Sequence, residues 1–106
     1  MPHTAAQQVR TRLTAVIERL TLKARSDERL RNLGGPRLTS IFSQAGIREE
    51  YRNIVRNEFP GCVVVFQSGR IKVFPPDGYL DVRGSVGAPI GPSLMLALFL
   101  GMGGQE

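Results

Sequence analysis

The sequence predicts an α+β protein: two amphipathic helices and a shorter connecting helix packed on a three-stranded antiparallel meander. Three observations carry that expectation. Apolar residues recur every three to four positions as far as residue 59, the period drops to two from Cys62 onward, and Gly- and Pro-rich breaks separate the segments. A chain of 106 residues has room for a single hydrophobic core, so residues 1–106 are read as one domain with residues 1–4 as a tail. At 42% apolar and 22% charged residues the composition is that of an ordinary globular protein.

Residues 5–25 form the first helix, because Val9, Leu13, Val16, Ile17, Leu20 and Ala24 fall on one stripe. Arg12, Arg19 and Lys23 cluster within about 40° on one flank of that stripe, and Arg10 and Arg25 lie on the other. Ser26-Asp27-Glu28 resembles a new N-cap followed by acid in the first turn, so residues 27–33 give at most two helical turns before Gly34-Gly35-Pro36. Residues 38–45 then lead through Gly46 into a second long helix with Ile47, Tyr51, Ile54, Val55 and Phe59 on its apolar face. Arg48, Arg52 and Arg56 form an i, i+4, i+8 row on its opposite side, with Asn53 and Asn57 beside them. Pro60-Gly61 ends it.

CVVVFQ and RIKVFP, joined by Ser68-Gly69, suit a β-hairpin with a two-residue turn. Arg70, Lys72 and Phe74 share one face of its second strand, and Ile71 and Val73 the other. After the Pro75-Pro76-Asp77-Gly78 turn, YLDVRG offers a third strand with Leu80 and Val82 inward. Residues 84–93 read as an irregular loop, and the apolar segment 94–101 closes the core as a short helix capped by Ser93 or as a central strand. That segment is too short to span a bilayer, which takes about 20 residues of helix.

The net charge is +5, with 12 Arg and 2 Lys. Residues 1–37 carry eight positive and three negative charges, and the two remaining segments, 38–60 and 61–106, carry three of each. The single histidine, His3, and the single cysteine, Cys62, supply no metal cluster and no Ser/His/Asp or Cys/His arrangement. Asp77 and Asp81 flank the expected third strand and read as surface charge, so no enzyme activity, metal or cofactor is expected. Without a secretory signal, and with one unpaired Cys, the expected location is cytoplasmic.

The helix pair LTSIFSQAGIREEYRNIVRN followed by VVVFQSGRIKVF resembles a winged helix-turn-helix domain over about residues 5–75. The resemblance implies a recognition helix in the major groove and a hairpin wing on the backbone. Arg and Asn pair with guanine and adenine edges, so Arg48, Arg52, Asn53 and Arg56 would read bases. Arg12, Arg19, Lys23, Arg70 and Lys72 would neutralise phosphates. The expected function is therefore nucleic-acid binding, DNA before RNA, by a transcription regulator or accessory factor. The rival expectation is a non-enzymatic interaction module, an inhibitor or assembly subunit, docking a protein partner or a second copy through Leu94, Leu96, Leu98 and Phe99.

Overall fold

Helix α1 spans Ala5–Ser26 and starts on a capping box: the Thr4 hydroxyl accepts from the Gln7 amide at 3.1 Å, and the Gln7 side chain accepts from the Thr4 amide at 2.8 Å. The computed structural model describes residues 4–31 and 41–100. The apolar stripe of α1 is buried as the periodicity requires, from Val9 to Ala24. Asp27 separates it from the single turn α2, Glu28–Arg31, and caps that turn by accepting from the Arg29 amide at 3.1 Å. The expected stop at Gly34-Gly35-Pro36 and the tail residues 1–3 lie outside the described residues.

Helix α3, Ile41–Glu58, runs unbroken through Gly46. The expected turn between two helices is therefore absent from residues 41–58, and with it the helix-turn-helix geometry that the winged-helix resemblance implied. The reason is energetic: one glycine in a helix interior costs about 1 kcal/mol, well below what burial of Ile47, Tyr51, Val55 and Phe59 returns.

Strands β1, Val63–Gln67, and β2, Arg70–Phe74, pair antiparallel in the expected register, Gln67 opposite Arg70 and Val63 opposite Phe74. The turn closes over Ser68 and Gly69, whose φ of 86° calls for glycine. The third strand is displaced from the expected one. Tyr79–Asp81 is a 3₁₀ turn with Leu80 at φ 46° and exposed, while Val82 is buried. Strand β3 is instead Val86–Pro89, inside the stretch read as a loop, and it pairs antiparallel with β2 to give the order β1-β2-β3. Val86 and Ala88 point inward at a period of two.

Helix α4, Pro92–Leu98, settles the apolar C-terminal segment as a helix. Its N-cap is Gly91, with Pro92 in the first turn, and not Ser93. One cluster of buried apolar residues joins α1, α3, α4 and the inner face of the sheet. The helices thus cover one sheet face, an α+β arrangement. Among the described residues no helix is long and apolar enough to cross a membrane.

Candidate nucleic-acid interface

The α4 helix ends against α3, and this contact reassigns the arginine row. Arg52 is 6% exposed, and its Nε donates to the Leu98 carbonyl at 3.0 Å. Its guanidinium lies 5.0 Å from the Phe66 ring centroid and 5.4 Å from that of Phe99. Arg48 Nη1 donates to the Leu100 carbonyl at 2.6 Å, while its Nε is buried without a hydrogen-bond partner among the described residues. A helix of seven residues ends with unpaired carbonyls: Arg52 satisfies that of Leu98, and Arg48 holds the turn just beyond the helix. Arg56 pairs with Glu49 Oε2 at 2.9 Å, donates to Asn53 Oδ1 at 2.8 Å and lies over the Phe66 ring. The row therefore does not stand free on an exposed side, as the readout expectation required of it: Arg52 is turned to α4, Arg48 to the turn that follows it, and Arg56 meets a carboxylate.

The basic flank of α1 also finds acids. Arg19 pairs with Glu58 at 2.6 Å, and Lys23 reaches Glu50 at 3.7 Å while lying 5.3 Å above the Tyr51 ring. Arg12 Nη1 donates to the Tyr79 hydroxyl at 3.4 Å. Arg29 bridges Asp27 at 2.7 Å and Glu50 at 2.5 Å, and the buried Tyr51 donates its hydroxyl to Asp27 Oδ2 at 2.8 Å. Arg29 above all, with help from Tyr51 and against the opposing effect of burial, holds the Asp27 carboxyl far below the usual carboxylate range. Arg29 likewise lowers Glu50 and Arg56 lowers Glu49, so both acids stay ionised beside their partners. Burial, aided by Asp27, pushes the Tyr51 hydroxyl upward.

The docking residues expected on the C-terminal segment are mostly core. Leu94, Leu98 and Phe99 are buried, because α4 is packed between α1 and α3. Leu96 is 47% exposed and lines a shallow depression with Ala24, Arg25, Leu30, Arg31 and Ser93. Asp77 and Asp81, expected to stand apart, line one open depression with Gly78, Val82, Arg83 and Gly84. Its lining holds no Ser, Cys or His to work with the carboxylates. Cys62 is half-buried, and burial raises its thiol against the lowering effect of Tyr79 and Arg12, which disfavours a nucleophilic thiolate.

The sheet places the two remaining predicted cations differently. Its inner face carries Phe66, Ile71, Val73, Val86 and Ala88, all buried against the helices. On the outer face the cross-strand pairs are Val63 with Phe74, Val65 with Lys72, Gln67 with Arg70, Lys72 with Gly87 and Arg70 with Pro89. Arg70 is exposed and Lys72 half-buried, and neither makes a hydrogen bond or ion pair among the described residues. The three strands contain no acidic residue. A Cβ on Gly87 would stand 3.3 Å from Arg70 Nη2 and 3.4 Å from Lys72 Cγ, so glycine lets both basic chains lie across β3. The period-two pattern of β2 signalled this face, but Val63 and Gly87 as its other members became visible only with the register.

No family model, no curated protein and no solved structure matches this chain.

Proposed function

We propose that this protein binds a polynucleotide backbone through the open face of its sheet, with Arg70 and Lys72 as the phosphate-neutralising pair. The observation that carries the reading is the sheet's asymmetry: one face is covered by helices, and the other presents two cations that meet no carboxylate among the described residues, on strands that contain no acid. Arg19, Lys23, Arg29, Arg48, Arg52 and Arg56 are engaged with carboxylates or backbone carbonyls, whereas Arg70 and Lys72 make no ion pair or hydrogen bond among the described residues. Arg10, Arg25 and Arg83, exposed and without ion pairs among the described residues, add to the positive field that would steer a polyanion inward. The role is that of an accessory binding factor, which needs no catalytic residue. The free thiol of Cys62 suits a reducing cytoplasm.

The test is a salt titration of binding to a fluorescent oligonucleotide. Two neutralised phosphates give a log–log slope of about −1.4 on a single strand to −1.8 on a duplex, so affinity falls about seven- to twelvefold between 50 and 200 mM salt. Arg70→Ala with Lys72→Ala should abolish binding, whereas Arg19→Ala should leave affinity and salt slope unchanged. Absence of binding at low salt, or binding indifferent to the double substitution, refutes the proposal. A protein partner on α4 would meet Leu96 but not Leu94, Leu98 or Phe99.

A further inference from the structure

Phe74 is 41% exposed at the end of β2, and its cross-strand partner Val63 is 64% exposed. Both rise from the same sheet face as Lys72 and Arg70, which precede Phe74 by two and four residues. Strand geometry sets these three side chains about 6.6 Å apart in sequence along one line. An aromatic ring in line with two cations, on strands that contain no acid, has a specific use. We infer that the sheet face takes single-stranded nucleic acid, with an unstacked base lying on Phe74 and Val63 while Lys72 and Arg70 hold the adjoining phosphates; this rests on the reading above.

The apolar part of the face decides between strand states. A duplex keeps its bases stacked inside and would press charged phosphates against Phe74, Val63 and Val65, stripping water from them without a compensating contact. A single strand can turn a base onto the ring and bury both surfaces. The hairpin does not offer the alternative of a free wing: the Gly69 amide at its tip donates to the Met95 Sδ of α4 at 3.1 Å. The face is anchored at that tip, which suits an extended strand laid across it and not insertion of the hairpin into a groove. A second copy of the chain is a poorer occupant, because a twofold contact through this face would bring two identical basic surfaces together.

The experiment compares single-stranded and hairpin-duplex oligonucleotides of matched length for the parent, Phe74→Ala and Phe74→Trp, with circular dichroism confirming the fold of each. The single strand should bind the parent more tightly. Phe74→Ala should weaken it at least about fivefold with the salt slope kept, because stacking carries no counterion release. Phe74→Trp should retain affinity, and since the chain has no other tryptophan, its fluorescence should be quenched when a base stacks on it. Equal affinity for duplex, or Phe74→Ala without effect on a parent that still binds with its salt slope, overturns the inference and leaves the backbone reading standing. No binding of either nucleic acid removes both. Concentration-dependent dimerisation abolished by Phe74→Ala would make the face a contact between copies and overturn the inference as well.

Discussion

Replacing Arg52 by alanine tests whether the arginine row belongs to the core or to a ligand. Three contributions can be taken from the geometry. The charged Nε–H donation to the Leu98 carbonyl at 3.0 Å is worth about 1.5–3 kcal/mol. The guanidinium between Phe66 and Phe99 adds about 1–2 kcal/mol. Against these, removing a buried charge relieves its desolvation, which offsets part of the loss. The expected net is a destabilisation of about 3 kcal/mol, or a fall in melting temperature of about 12–24 °C at 4–8 °C per kcal/mol. Urea unfolding followed by circular dichroism measures it, with Arg25→Ala as an exposed control expected within about 0.5 kcal/mol of the parent. A role in ligand readout would leave stability near that of the control. If Arg52→Ala unfolds at the same urea concentration as Arg25→Ala, the assignment of Arg52 to the α4 contact is wrong.

Gly46 is exposed within α3, and an added Cβ there would meet nothing within 4 Å, so Gly46→Ala should stabilise by about 0.8–1 kcal/mol in the same assay. Asp27 has its carboxyl depressed in the folded state, so its contribution is fully present above the ordinary value near 4 and is lost as pH falls from there through the folded-state value. Urea midpoints measured down to about pH 2 should therefore drop steeply in the parent and less so in Asp27→Asn, with Glu49 and Glu50 supplying the remaining slope; parallel curves would acquit Asp27. Leu96→Asp should give a folded protein by circular dichroism, whereas Leu94→Asp should not, because the second carboxylate would be buried unpaired.

The stripe of α1, the apolar face of α3 and the hairpin with its two-residue turn were legible because each is a local pattern with one dominant period. The arginine row was misread for a reason the same arithmetic exposes. At about 100° per residue, Arg52 stands about 20° from Phe59 and about 60° from Val55, so the row borders the apolar stripe instead of opposing it. A border position is free or covered depending on what packs beside it, and that neighbour, α4, comes from more than 40 residues away in sequence. Strand β3 was hidden because glycine and proline in VGAP read as breakers, although Pro89 is tolerated where β3 pairs on one side. The Arg70, Lys72 and Phe74 face was visible in sequence, but that neither cation meets a carboxylate among the described residues was not.

The contacts from Arg52 to Leu98 and from Arg48 to Leu100 close loops of 46 and 52 residues, while the β1–β2 turn closes over two. Chain closure on that scale is entropically late, so the hairpin and α1 should order before α4 docks. In chevron kinetics, Arg52→Ala is then expected to leave the refolding limb in place and to raise the unfolding rate about a hundredfold for a loss of about 3 kcal/mol. The α4 clasp would govern how long the native state survives between openings, with little influence on how quickly it is reached.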